Sequence, residues 1–395
     1  MTGPLQETVA LLGDLIAYPT VSSDSNLELV ADLGQRLQDF GAQVDLFHDD
    51  SGAKANLFAT IGPDADGGVL LSGHTDVVPV TDQDWTSDPF ALRQSDGRLY
   101  GRGACDMKGF IAAATVMARD YAALPLCRPV HFSFTYDEEV GCLGAQALVP
   151  ELQRRGIRPA IAIIGEPTEM RVIEGHKGCC EYTVRFSGRE GHGSAPHRGV
   201  NAAEYAARYV GELMRLRGEL MLRAPENSPF EPPWTTLNVG RIAGGVAHNV
   251  IAGKAEVDWE MRPVQDKDAA FVHTEMQRVI DQDLLPMMQA VWPDADIVTD
   301  VIGEVAGLEV MPENAARDLL ARLNGANGAD VVAFATEAGL FQQLGMAVAV
   351  CGPGSIEQAH RPDEFVSLDQ LQTCLDMLSR LGRSGVLTAV DAPRL

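Results

Sequence analysis

The sequence predicts an α/β protein: a layered domain on a mixed, mostly parallel sheet, interrupted by an α+β insert with an antiparallel sheet. Two observations predict it. Four short runs, VLL at 69–71, VHFSFTY at 130–136, AIAII at 160–164 and MAVAV at 346–350, are near-continuously apolar. Strands covered on both faces read this way. Near Gly178 the pattern changes, and CCEYTVRFSG at 179–188 alternates like a half-exposed strand.

In chain order, residues 5–17 and 26–40 read as amphipathic helices, followed by the first apolar run. FIAAATVMARDYAAL at 110–124 reads as a helix, and the second and third runs come after it. The insert opens on the alternating strand and continues with a helix at about 199–219. TLNVGRIAGGVAHNVIAGKAEVDWEMRP then reads as a strand, a Gly-rich turn and one or two further strands. A helix through about 267–290 and the strand DIVTDVIGEV close the segment. From Pro312 the helix-rich α/β pattern resumes. The main domain is therefore expected to be discontinuous, 1–178 with 306–395, around an insert at 179–305.

The chain has 395 residues, 46% of them hydrophobic, which favours more than one domain. A formal net charge of -24 argues against nucleic acid and anionic membrane as partners. Seven cysteines, an odd number with no C-x-x-C pair, point to reduced thiols and a cytoplasmic setting. The first twenty residues read as a core-facing helix rather than a signal peptide, and no apolar run reaches membrane-spanning length.

Polar residues follow each apolar run. GHTD follows the first, DEE (137–139) the second, GEPT (165–168) the third, and CGPG, then SIEQAH ending at His360, the fourth. Ligands of open α/β sheets bind outside the carboxyl ends of the strands. His74, Asp106, Glu138, Glu139, Glu166 and His360 are thus expected to converge on one crevice. Two carboxylates about 4 Å apart repel by roughly 4 kcal/mol at an effective dielectric near 20. Two divalent cations would relieve that repulsion, and mixed N and O donors suit Zn²⁺, with Co²⁺ or Mn²⁺ as substitutes. Taken singly, each residue has a plainer reading. His74 reads also as a loop histidine, Asp106 as a helix N-cap, 137–139 as a solvated strand exit and Glu166 as a turn residue. His360 reads also as a structural histidine. Joint placement at strand ends favours the metal reading.

GHTDVVPV, DGRLYGRGACDMKG, TYDEEVG, GEPT and HRPDE together resemble the di-zinc amidohydrolase and metallopeptidase family, over nearly the whole chain. EGHKG at 174–178 and SGREGHGSAPHRGVNA at 187–202 look most like its acetylornithine deacetylase branch. The resemblance implies a three-layer, zinc-peptidase-like catalytic domain with a lid and dimerisation domain inserted. It implies two Zn²⁺ per chain, with Co²⁺ a possible substitute. His74, oriented by Asp76, and Glu166 would bind one metal, and Glu139 and His360 the other. Asp106 would bridge the two, commonly with a cis peptide after it. Glu138 would be the general base, and His192 would reach across a homodimer to stabilise the oxyanion. Asn249 and Arg262 would hold the substrate carboxylate, and Glu337 would sense a substrate amine. His192 also reads as a loop cap, Arg262 as the partner of surface acids such as Asp258, and Glu337 as a solvated helix start. The implied reaction is amide hydrolysis of an N-acyl amino acid, foremost N2-acetyl-L-ornithine to L-ornithine and acetate in arginine biosynthesis. A carboxypeptidase, dipeptidase or desuccinylase of the same chemistry is the alternative, and a non-catalytic metal-binding relative a distant one.

Overall fold

The structure, a computed structural model, describes residues 3–388. It opens with helices α1 (Pro4–Ile16) and α2 (Leu27–Asp39), then strands β1 (Gln43–His48), β2 (Ala55–Ile61) and β3 (Val69–His74). In α1, Pro4 occupies the first turn, where its missing N–H costs nothing, and Leu11, Leu12, Leu15 and Ile16 form the buried stripe. Two short strands follow, β4 (Arg93–Ser95) and β5 (Arg98–Tyr100). Next come α3 (Lys108–Ala122), β6 (Val130–Thr135), α4 (Leu143–Arg155), β7 (Ile161–Pro167) and β8 (Ile173–His176).

The next stretch contains β9 (Cys179–Ser187), β10 (Gly191–His192), α5 (Ala202–Leu222), β11 (Thr236–Gly244), β12 (Val250–Ile251) and β13 (Lys254–Arg262). Its last elements are α6 (Asp266–Arg278), α7 (Leu285–Gln289) and β14 (Asp296–Val305). The single helix expected at 267–290 is interrupted by a π-helical turn, Val279–Leu284. Pro286 explains the break: a proline there offers no N–H and crowds the preceding turn. The chain ends with α8 (Ala315–Asn324), β15 (Asp330–Val332), α9 (Ala338–Gln343), β16 (Ala347–Gly352), β17 (Phe365–Ser367) and α10 (Leu368–Gly382).

The large sheet runs β1-β2-β6-β3-β7-β16-β8-β15. Its centre, β6-β3-β7-β16, is parallel, while β1, β2 and β8 join antiparallel. Leu57, Leu71, Phe132 and Ile163 on one face share a core with residues of α1, α2, α3, α8 and α10. Phe58, Leu70 and Ile164 point the other way and are equally buried, and α4 and α9 pack on β2 and β16. Burial on both faces is why these strands lack alternation. Sequence reading overlooks β1, a half-exposed edge strand without a continuous apolar run, and β2, whose apolar run is broken by Asn56 and Thr60.

Two compact units result. The first comprises the described residues up to Gly175, Val310–Asp330 and the described residues from Thr336 on; the second comprises His176–Glu309 and Val331–Ala335. The second has its own sheet, β11-β13-β9-β14, antiparallel throughout, and its own core around Tyr209, Leu216, Val257 and Met288. Among the described residues, no helix is long and apolar enough to cross a membrane.

Candidate metal centre

Register brings the polar residues together. β3 and β6 run parallel with His74 opposite Thr135, so the chain leaves β6 toward Asp137, Glu138 and Glu139 beside His74. β7 flanks β3 on the other side and carries Glu166. The loop before α3 supplies Asp106, and the loop between β16 and β17 supplies His360. The sidedness is that of ligand sites in open α/β sheets generally.

His74 is 1% exposed. Its Nδ1 lies 2.9 Å from the backbone carbonyl of Asp76, and its Nε2 lies 2.9 Å from Asp106 Oδ1 and 3.7 Å from Glu166 Oε1. A carbonyl only accepts, so Nδ1 carries a proton. Burial opposes charge on the ring, yet hydrogen bonds to Asp106 and Asp76 hold its pKa well above the usual value. Nε2 therefore also donates, to Asp106, and a cation bound there would displace that proton. Asp76 orients the ring chiefly through its main chain, for its carboxylate stands 3.5 Å from Nδ1. That carboxylate instead accepts from Ser22 Oγ (2.7 Å) and from the backbone N–H of Glu138 (3.0 Å) and Glu139 (3.3 Å). Asp76 therefore fixes the Glu138–Glu139 loop as well.

Asp106 lies between the two imidazoles, with Oδ1 toward His74 and Oδ2 3.4 Å from His360 Nε2. It does not cap α3: Met107 holds that position, and the Asp106–Met107 peptide is cis. His360 Nε2 also lies 3.0 Å from Glu139 Oε2. Two donor groups have ligand atoms within 4.8 Å of one another, His74–Asp106–Glu139 and His74–Glu138–Glu166. The donors therefore form one overlapping cluster rather than two separate triads, with Glu138 among them.

Electrostatics test whether cations fit. Burial, then the Asp106 charge, pushes the Glu166 carboxyl well above its usual range. Burial likewise takes Glu138 up to about 8, with His74 opposing and Glu139 and Asp106 reinforcing. For Asp106, burial disfavours the charge, yet hydrogen bonds from His360 and His74 hold its pKa down. Glu166 Oε1 is buried without a hydrogen-bond partner. Crowded acids and an orphaned carboxylate oxygen beside His74 Nε2, whose proton a metal would replace, fit a pair of divalent cations.

Glu337 departs from a solvated helix start. It is 1% exposed, and its two oxygens accept from Ser72 Oγ (2.6 Å) and Thr135 Oγ1 (2.8 Å). Both oxygens are thus held by β3 and β6. His192, Asn249 and Arg262 belong to the second unit. There β10 and β12 pair, and Gly193 N–H donates to Asn249 O at 2.8 Å, so His192 and Asn249 are neighbours. His192 is exposed. Its Nδ1 accepts the Ser194 backbone N–H at 3.2 Å and lies 2.7 Å from Ser194 Oγ, so the proton of the neutral ring sits on Nε2. Arg262 binds Glu260 (2.7 Å) rather than Asp258, which accepts from Arg241 and Thr183. Sequence reasoning missed Arg102 and Glu364, a buried ion pair (2.8 Å) beside the Asp106 loop. The D-E ending of HRPDE was the available signal.

A model of the peptidase family M20/M25/M40 matches residues 70–384. An acetylornithine deacetylase of Shigella sonnei is 36% identical over 373 residues, covering 93% of this chain and 94% of the relative. Among solved structures, an M20 family metallo-carboxypeptidase from Sulfolobus solfataricus superposes with a TM-score of 0.71 at 17% identity, covering 97% of this chain and 99% of that one. The YXEP protein of Bacillus subtilis, a dinuclear metal-binding peptidase, gives 0.62 at 18% identity, covering 96% and 97%. At such identities the two structures speak for the fold alone.

Proposed function

The chain belongs to peptidase family M20/M25/M40 and is a hydrolase of that family; from that premise we propose that it removes the acyl group from an N-acyl amino acid, foremost N2-acetyl-L-ornithine. The carrying observation is the cluster of His74, Asp106, Glu138, Glu139, Glu166 and His360 at the strand ends, together with the deacetylase relative. His74, Asp106 and Glu166 would hold one Zn²⁺ or Co²⁺, and Asp106, Glu139 and His360 the other. When bound, the two cations polarise the scissile carbonyl and acidify the attacking water.

The rest falls to side chains. Glu138, half-buried at the rim of the cluster and fixed by its N–H to Asp76, takes the proton of the water at a carboxylate oxygen. It returns that proton to the departing amine nitrogen. His192 Nε2–H, supplied by a partner subunit, donates to the developing oxyanion, and Asn249 and Arg262 receive the substrate carboxylate. A homodimer through the second unit is consistent with the apolar side chains that its α5 and β11 expose, among them Met214 and Ile242. Seven free cysteines suit a reducing, cytoplasmic setting.

Glu138→Gln should lower kcat by at least about 100-fold while metal analysis still finds two ions per chain; near-normal turnover would sink the base assignment. A panel of N-acetyl and N-succinyl amino acids against dipeptides separates the deacetylase from its peptidase relatives. Fastest cleavage of a dipeptide would overturn the substrate class.

A further inference from the structure

We propose that Glu364, working with Arg102 and Gln83, is the positioning residue that sets Asp106 and His360 at the distance two shared cations need. The inference rests on the metal reading above. Glu364 is 1% exposed and its carboxylate receives four donors. Oε1 accepts the backbone N–H groups of Cys105 (2.8 Å) and Asp106 (3.0 Å). Oε2 accepts the N–H of Gly103 (3.0 Å) and Arg102 Nη1 (2.8 Å). A carboxylate has about four lone-pair directions, and all are used. The loop that presents Asp106 is thus wrapped around one side chain from 258 residues away.

The same cluster reaches the other ligand. Arg102, also 1% exposed, donates to Arg361 O (3.3 Å) and to Gln83 Oε1 (2.5 Å). Gln83 Nε2 in turn donates to the backbone carbonyl of His360 at 3.0 Å. Thr86 holds Asp363 through its N–H and hydroxyl, at 3.1 and 2.9 Å. His360 and Asp363 both have positive φ, 62° and 55°, which a non-glycine residue keeps only when its surroundings insist. Pairing of β5 with β17, Tyr100 opposite Phe365, brings the two loops side by side. None of Glu364, Arg102, Gln83, Thr86 and Asp363 is itself among the donors assigned to the cations. Their geometry holds the main chain on either side of the donors.

The two ends of this network can be loosened separately. In Glu364→Gln the amide NH₂ must face two N–H donors whichever way it turns, so the Asp106 loop is released. Because Asp106 is shared, calorimetric Zn²⁺ titration of the full chain should show both ions bound about 10- to 100-fold more weakly. KM should change little, and Glu364→Asp should recover part of the loss. Gln83→Leu, at a half-exposed position, should weaken the second ion, the one served by His360, more than the first, which it reaches only through Arg102 and Glu364. The proposal is overturned if Glu364→Gln binds both ions as the unaltered chain does, or if Gln83→Leu weakens both equally. Should Glu364→Gln fail to fold, an unchanged second-ion affinity in Gln83→Leu overturns it alone. An unaltered chain that takes up no Zn²⁺ would refute the metal reading itself, which the parallel titration reveals.

Discussion

Folding keeps His131 neutral. Its ring stacks on Phe58 with centroids 5.3 Å apart, its Nδ1 meets Thr60 Oγ1 at 2.9 Å, and burial takes its pKa down from 6.5 to about 4. The unfolded chain therefore takes up a proton first as pH falls. This group's contribution to stability is whole above about pH 6.5 and is lost progressively toward pH 4, about 3 kcal/mol in all at 1.36 per unit. Urea unfolding of His131→Phe between pH 7 and 4.5 should show a shallower pH slope than the unaltered chain; parallel slopes would contradict the assignment. Most of the donor cluster is legible at this scale because His74, Glu139, Glu166 and His360 end or follow continuous apolar runs, while Asp106 shows only as an acid just before a helix. Glu364 is not, because it binds backbone N–H groups, which any residue type presents. The burial of Glu337 is hidden for a related reason: its neighbours Thr336 and Ala338 say nothing of Ser72 and Thr135 across the sheet.

Two glycines allow close approaches at the end of β7: Gly352 where β16 meets it, and Gly165 where α3 packs on it. A Cβ on Gly352 would lie 1.9 Å from Gly165 O and 2.6 Å from Glu166 O, and one on Gly165 would enter the ring of Phe110 at 2.0 Å. Gly352→Ala must push the β7 end aside, and Glu166 with it. It should cost about 1–3 kcal/mol in the urea midpoint and weaken Zn²⁺ binding. Gly211→Ala, in α5 with nothing within 4 Å, is the control and should be neutral or stabilising by up to about 1 kcal/mol. Equal midpoints for the two variants would refute the close-approach argument. Elements with a single period are the ones sequence discloses: β13, within the segment read as strands, alternates buried and half-exposed residues from Ala255 to Arg262. The short strands β4, β5 and β17 have three residues each, too few to carry a period, and they go unseen.

Each unit has its own apolar core, so the molecule is expected to melt in two calorimetric steps. All five donors assigned to the cations lie in the first unit. Zn²⁺ at about 100 times its dissociation constant should stabilise that unit by about 2.7 kcal/mol for each of the two ions and leave the other step where it was. Chelator should reverse the shift; movement of both steps together would show that the cores unfold as one. The discontinuity was visible in the sequence as a change from continuous to alternating strands. The crossings themselves were not, since Gly175 and Glu309 stand in no break of composition. The sheet order has a consequence for biosynthesis. β16 occupies the slot between β7 and β8, yet it is made almost two hundred residues after β7. Until it leaves the ribosome, β7 presents a bare parallel edge, open to strands of other nascent chains. Translation that stalls anywhere in the insert should therefore yield an aggregating chain, and chaperones that mask strand edges should matter most during that interval.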